Sequence, residues 1–136
     1  MKIGYTAGAF DLFHIGHLNL LIRAKAECDY LIVGITTDEL IEKTKNKKPV
    51  IPFKERKFIV ENLKCVDKVV IQDDLDKVKA WKTLKYDVLF SGDDWKTSPR
   101  WQSYVDELSK HNVEVIFFPY TKTTSSSLLT EVLKKM

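Results

Sequence analysis

The sequence has few cysteines, no long apolar run and no strong excess of one charge. Its two cysteines, Cys28 and Cys65, cannot build the disulfide framework of a small secreted protein. We interpret both as reduced, buried thiols of a cytoplasmic protein, because each lies among apolar, core-type neighbours. No uncharged apolar stretch reaches the roughly 18 residues that a membrane-spanning helix needs, and the first residues turn polar too early for a secretory signal.

The length and the charge of the chain indicate how many domains it forms and which partners it binds. A chain of 136 residues with 44% hydrophobic content fits one domain, residues 1–136, with a core of two or three layers. Its net charge of +3 is too small to indicate nucleic acid or anionic lipid as a partner. Between Glu42 and Lys57, however, seven residues are basic and two are acidic. Such a stretch is usually a solvated surface, but a loop that collects phosphate groups is the alternative we keep.

Segments typical of strands and helices alternate along the whole chain. The predicted strands are 2–7, 30–35, 67–71, 87–91 and 114–118. The predicted helices are 17–28, 38–44, 55–63, 74–84, one within 99–112, and 128–136. This alternation predicts an α/β fold of Rossmann-like architecture, with a parallel five-stranded sheet and helices on both faces. Ligands of such folds bind at the carboxyl ends of the strands, so we expect the loops after strands one, two, four and five on one rim.

The loop after the first predicted strand, residues 8–17, carries two histidines three positions apart, His14 and His17. Three interpretations are open. The rings could serve only as helix caps and packing groups. They could bind zinc, but no third ligand of suitable spacing accompanies them, since the cysteines are isolated and His111 lies in a distant segment. They could also bind an anion, because a glycine-containing turn entering a helix exposes N–H groups and the positive end of the helix dipole.

Residues 8–17, GAFDLFHIGH, resemble the HxGH signature of the nucleotidyltransferase superfamily, and the continuation to Leu31 is similar to its cytidylyltransferase branch. Further stretches match this family in order along nearly the whole chain. They are 34–39 (GITTDE), 55–57 (ERK), 66–69 (VDKV), 91–95 (SGDDW) and 121–127 (TKTTSSS), the last in the place of an RTEGIST-type motif. The GDDW sequence resembles glycerol-3-phosphate cytidylyltransferases in particular. Several ordered motifs within one short domain are a strong signal, whereas HxGH alone would be a moderate one.

The resemblance implies an enzyme that transfers CMP from CTP to a small phosphorylated alcohol, with glycerol 3-phosphate as the first choice. The products would be a CDP-alcohol and pyrophosphate. Transfer would be direct and in line, because a phosphate oxygen of the acceptor is already a competent nucleophile. Mg²⁺ would accompany CTP and screen its charge. The partners would be these small molecules, with no nucleic acid and no membrane. We also expect a homodimer, to which residues 66–69 could contribute.

The resemblance also implies roles for individual residues. His14 and His17 would contact the triphosphate and stabilise charge at the α-phosphorus. Lys45 and Lys47 would reach both phosphates, since lysine suits a mobile loop. Lys45 and Arg56 would support the acceptor phosphate, although Arg56 could equally support the loop or form a surface ion pair. Nucleotide-binding positions are predicted in three segments: Gly8, Ala9, Phe10, Asp11, Gly16, Asp93, Asp94, Trp95, Tyr120, Thr121, Ser125 and Ser126.

Simpler explanations exist for two of these segments. The sequence Gly92-Asp93-Asp94 is also ordinary turn chemistry, and Trp95 could simply pack. The serines before the last helix are also typical caps, which is compatible with donating to the β- and γ-phosphates. The chain departs from the family pattern twice. Ala9 stands where Thr is frequent, and Tyr120 stands where Arg is usual, which leaves the identities of base and acceptor open.

Two alternatives to CMP transfer follow. The first is an adenylyltransferase that uses ATP on a sugar phosphate or a cofactor precursor, because other superfamily members with HxGH use ATP. The second belongs to another class, a non-catalytic module that binds nucleotides or RNA. The basic loop supports it, but the aromatic residues are mostly at core-like spacings and no second basic face is evident.

Overall fold

A computed structural model describes residues 1–119 and 126–135, with the side chains of residues 126 and 127 excluded. The strands are β1 (Ile3–Gly8), β2 (Tyr30–Thr36), β3 (Lys68–Gln72), β4 (Val88–Gly92) and β5 (Glu114–Phe118). The helices are α1 (Ile15–Ala26), α2 (Asp38–Lys45), α3 (Phe53–Glu61), α4 (Lys77–Leu84), α5 (Pro99–Ser109) and α6 (Ser126–Lys135). A short 3-10 turn, Asp93–Trp95, follows β4. The predicted α/β class and the order of elements are confirmed.

The five strands form one sheet in the order β3-β2-β1-β4-β5, and every pairing is parallel. The central strand β1 pairs with β2 on one side and with β4 on the other. The chain therefore winds outward in one direction from β1 to β3 and then restarts in the other direction at β4. In parallel sheets this reversal opens a crevice above the carboxyl ends of the two strands, where ligands bind.

Both faces of the sheet are covered, and each carries its own apolar core. Side chains alternate along β2: Leu31 and Val33 enter a core with α1 and α3, whereas Ile32 enters a core with α5 on the other face. On that second face Trp101 and Leu108 of α5 are buried. Because both faces of β2 are buried, its sequence is a continuous apolar run rather than an alternating one.

The junction that follows α1 packs tightly against β1. A Cβ atom at Gly4 would lie 2.6 Å from Cε2 of Phe90 and 2.8 Å from Sγ of Cys28, so this position requires glycine. Cys28 and Cys65 are free thiols, but both are half-buried, which corrects the prediction that they are buried. They lie in connections between elements and pack against the edge of the core. Partial burial raises the pKa of both thiols.

The helix boundaries differ from the predicted ones where a capping side chain sets them. Helix α1 begins at Ile15 rather than at residue 17, because His14 caps it. Helix α4 begins at Lys77 rather than at residue 74, because the carboxylate of Asp76 accepts from the backbone of its first turn. Helix α6 begins at Ser126, two residues earlier than predicted. In the described part of the chain no helix is long and apolar enough to span a bilayer.

Candidate active site

A cavity of about 400 Å³ opens at the carboxyl ends of β1 and β4, where the strand order reverses. Many of the predicted site residues line it. The turn after β1 contributes Gly8, Ala9, Phe10 and Asp11. The start of α1 contributes His14, Gly16 and His17. Lys45 at the end of α2 and Lys47 in the loop after it also line the cavity. The segment after β4 contributes Asp94 and Trp95. The fold thus gathers residues that lie far apart in sequence around one space.

The turn after β1 has an unusual backbone. Phe10 and Leu12 have φ angles of 51° and 50°, in the left-handed region that few residues other than glycine adopt. The Phe10 side chain is buried in the core beneath the turn, and this packing offsets the strain. Such strained turns are frequent at functional sites. Here the turn connects the end of β1 to His14, the N-cap residue of α1.

The two histidines form a reciprocal cap on helix α1. The backbone N–H of Gly16 donates to Nδ1 of His14 at 3.0 Å, and the backbone N–H of His14 donates to Nδ1 of His17 at 3.2 Å. Both rings therefore cap α1, with imidazoles in place of the usual hydroxyl and carboxylate. Because each Nδ1 accepts, the proton of each neutral ring is on Nε2. The cap thus sets the tautomer of both rings.

The surroundings of the two rings favour their neutral forms. Burial lowers the pKa of His14. Burial, together with the proximity of His14, lowers the pKa of His17 to about 4, while Asp11 acts in the opposite direction. The rings stack with centroids 3.9 Å apart, so two positive charges there would repel each other. At neutral pH both rings are therefore uncharged, and each carries its proton on Nε2.

The lysine loop, residues 45–52, carries cations to the same cavity. Lys45 is the last residue of α2, and Asn46 leaves the helix with a left-handed φ of 53°. Farther along, the backbone N–H groups of Val50 and Ile51 each donate to the carboxylate of Asp11 at 2.8 Å. Asp11, predicted to bind the nucleotide, thus also anchors the lysine loop to the turn that carries the histidines.

Arg56 is buried below this loop, with 1% exposure, and does not line the described part of the cavity. Its Nε donates to the carbonyl of Ile51 at 2.9 Å and its Nη1 to the carbonyl of Ala9 at 2.6 Å. Its Nη2 forms an ion pair with Oδ1 of Asp38 at 2.6 Å. Of the roles considered for Arg56, this placement corresponds to support of the loop, and the surface ion pair is wrong because the guanidinium is buried.

The segment after β4 forms one wall of the cavity. Asp94 and Trp95 line it, whereas Asp93 of the same 3-10 turn is exposed and is not among the described residues that line the cavity. The ring of Trp95 is about half exposed and lies over Trp101, with centroids 6.4 Å apart. The predicted packing and ligand-facing roles of Trp95 are therefore both compatible with its position.

Sequence reasoning did not find the polar residues on the far side of the cavity. Asn19 and Arg23 of α1 and Thr130 of α6 line it as well. The signal was present in the spacing, since Gly16, Asn19 and Arg23 recur at three- and four-residue intervals and share one helix face.

Several of the predicted nucleotide-binding positions lie outside the residues that the structure describes. Tyr120, Thr121 and Ser125 fall in the segment 120–125, and only the backbone of Ser126 is described, as the first residue of α6. Within the described ranges, no three His, Cys, Asp or Glu side chains group as ligands for a metal ion.

Comparisons with known proteins agree with this geometry. A family model described as cytidylyltransferase-like matches residues 5–132. The bifunctional protein HldE of Helicobacter pylori strain HPAG1 is 42% identical over 95 residues, which are 69% of this chain and 20% of that protein. The same protein of strain P12 is 41% identical over 95 residues, again 69% of this chain and 21% of that protein. This chain thus spans about a fifth of the length of these curated relatives.

Solved structures share the fold. The lipopolysaccharide core biosynthesis protein of Thermoplasma volcanium has a TM-score of 0.74 at 24% identity, over 91% of this chain and 99% of that one. The pantoate-beta-alanine ligase of Francisella tularensis, crystallised with beta-gamma ATP and beta-alanine, has a TM-score of 0.66 at 17% identity, over 98% and 69% of the two chains. With the family model matching nearly the entire sequence, the chain belongs to the cytidylyltransferase-like family of nucleotidyltransferases.

Proposed function

We propose that this chain transfers CMP from CTP to the phosphate of a small phosphorylated alcohol, with glycerol 3-phosphate as the first acceptor to test. The observation that carries the proposal is the His14–His17 pair, in which Nδ1 of each ring accepts from a backbone N–H group, in one cavity with Lys45 and Lys47. Donors that are already oriented stabilise a developing charge without reorganising during the reaction. This arrangement suits a reaction in which negative charge builds up on phosphate oxygens.

The transfer needs no base or nucleophile from the protein. An oxygen of the acceptor phosphate forms a bond to the α-phosphorus of the nucleotide. The bond from that phosphorus to the oxygen bridging it to the β-phosphate breaks, and pyrophosphate leaves with the electron pair. The Nε2–H groups of His14 and His17 would donate to the oxygens around the α-phosphorus. Lys45 and Lys47 would hold the incoming phosphate in line and offset its charge.

Magnesium enters this proposal with the substrate. The described residues form no cluster of three metal ligands, and Mg²⁺ is commonly bound by substrate phosphates with few protein carboxylates. Asp11 and Asp94 are the carboxylates among the described residues that line the cavity. When bound, the ion would screen the charge of the triphosphate.

Adenylyl transfer from ATP to a sugar phosphate is the second candidate. Asp94 at the cavity wall is compatible with ATP as well as with CTP. A carboxylate accepts equally well from the exocyclic amino group of adenine or of cytosine. A protein of the same fold was crystallised with an ATP analogue. The GDDW sequence at residues 92–95 supports CTP and a glycerol 3-phosphate acceptor.

Pyrophosphate release from all combinations of four nucleoside triphosphates with a panel of acceptors tests the proposal. The panel contains glycerol 3-phosphate, phosphocholine, phosphoethanolamine and several sugar phosphates. We expect release only when CTP and an alcohol phosphate are both present, and a CDP-alcohol by mass spectrometry. ATP with a sugar phosphate would establish the second candidate instead. Folded protein that is silent with every pair, yet binds RNA tightly at low salt, would support the non-catalytic module.

Two further properties stay predictions. We expect a homodimer, which light scattering on the purified chain would measure. The cytoplasmic location is likewise a prediction from the sequence, and fractionation of cells that express the protein would test it.

A further inference from the structure

Helix α1 presents a polar stripe to the cavity beyond the histidines. Gly16, Asn19 and Arg23 line the cavity at three- and four-residue intervals, which place them on one face of the helix. Arg23 lies six residues beyond His17, a rise of about 9 Å along the helix axis. An extended arginine side chain, together with two linked phosphate groups, spans such a distance. The stripe therefore continues the phosphate-binding end of α1 along the cavity wall.

Arg23 approaches the cavity from the flank opposite to the lysine loop. Lys45 and Lys47 follow β2, which lies on one side of β1 in the sheet. Nη1 of Arg23 donates to the carbonyl of Pro119 at 3.4 Å, directly after β5, the outermost strand on the other side of β1. Among the described residues, lysine and arginine cations thus line the cavity on both sides of the histidine pair.

The chemistry of Arg23 suits a phosphate ligand. The side chain is exposed, and its contact with Pro119 is long and involves one of five N–H donors. A planar guanidinium matches two oxygens of a phosphate group at once, which the ammonium group of a lysine cannot do. A reaction between two phosphate-bearing substrates that expels pyrophosphate places negative charge on both sides of the α-phosphorus.

We propose that Arg23 binds the β- and γ-phosphates of the nucleoside triphosphate and holds the leaving pyrophosphate. This inference rests on the proposed nucleotidyl transfer. The two flanks then have different tasks. Lys45 and Lys47, next to a left-handed residue at a helix end, hold the acceptor phosphate. Arg23, on a regular helix, holds the outgoing group on the opposite side, as in-line displacement requires.

Steady-state kinetics of Arg23→Ala and Arg23→Lys test the assignment, with Arg100→Ala as the matched control. Arg100 is an exposed arginine of α5 and does not line the described cavity. In Arg23→Ala we expect KM for the triphosphate and Ki for pyrophosphate to rise about ten- to a hundredfold, the effect of one charged hydrogen-bonding group. KM for the acceptor should stay within about twofold, since the lysines hold the acceptor. Arg23→Lys should recover part of the loss, because it keeps the charge but not the bidentate geometry.

Direct binding of inorganic pyrophosphate, measured by calorimetry, separates this inference from the proposed function. If the wild-type protein turns over no substrate pair but binds pyrophosphate, and Arg23→Ala binds it at least tenfold more weakly, Arg23 is an anion ligand although the proposed reaction is wrong. A rise of KM for the acceptor alone would show that Arg23 serves the other substrate. Unchanged pyrophosphate binding in both variants would overturn the inference, as would wild-type protein that binds none.

Discussion

Removing the buried guanidinium of Arg56 tests whether one side chain holds the lysine loop and the histidine turn together. Arg56 donates to the carbonyls of Ile51 and Ala9 and to the carboxylate of Asp38, which belong to three separate segments. Arg56→Met nearly preserves the volume of the side chain but removes the donors. Because Arg56 is 1% exposed, water cannot take over all three positions without local opening.

The magnitude follows from the burial of the ion pair. Removing one partner of a buried pair costs about 3–5 kcal/mol. We expect the lower end, about 3 kcal/mol, because the Asp38 side chain is 35% exposed and solvent replaces part of the lost interaction. For a domain of this size, such a loss lowers Tm by roughly 10 °C. Turnover should fall as well, since displacing reacting groups by about 1 Å can cost about a hundredfold in rate.

Urea unfolding followed by circular dichroism measures the stability, and pyrophosphate release measures the turnover. Lys57→Met is the matched control at the next position in α3, because Nζ of Lys57 forms a partly exposed ion pair with Glu61 at 2.9 Å. We expect that variant to lose at most about 0.5 kcal/mol. If Arg56→Met were as stable and as active as Lys57→Met, Arg56 would not hold the lysine loop and the histidine turn together.

Three further results are expected. His14→Asn and His17→Asn should remain folded, because asparagine keeps an acceptor for the helix cap. Each should lose at least about a hundredfold in turnover, because the Nε2–H donor is gone. Near-normal rates in both variants would show that the rings only cap α1. The free energy of unfolding should increase with pH between about 4, the pKa of His17 in the folded chain, and 6.5, its value in the unfolded chain, because the unfolded chain binds the His17 proton more tightly. The gain is about 3 kcal/mol. Urea midpoints that rise equally steeply with pH in His17→Asn would contradict this. Lys45→Ala and Lys47→Ala should raise KM for the acceptor. Lys43→Ala should not, because Lys43 lies on α2 with Lys45 but does not line the described cavity.

The alternation of strands and helices and the site at the rim followed from the sequence by itself. Both depend on local patterns, such as the continuous apolar run of β2 and the turn that carries His14 and His17. A short-range pattern is sufficient there, because periodicity and capping act within a few residues. The position of His14 and His17 in the loop ahead of a predicted helix likewise indicates that both imidazoles lie at a helix start.

Only the tertiary structure decided where the side chains of Arg56 and Arg23 lie. The sequence left three roles open for Arg56, and its burial beneath the turn of Ala9 assigns it to the loop. Helical periodicity alone places Arg23 on the polar face of α1, and the structure shows that this face borders the cavity near the end of β5. The physical reason is the same in both cases. Whether a charged side chain meets water, a carbonyl or a ligand depends on segments distant in sequence, which only the packing of the sheet and its helices brings together.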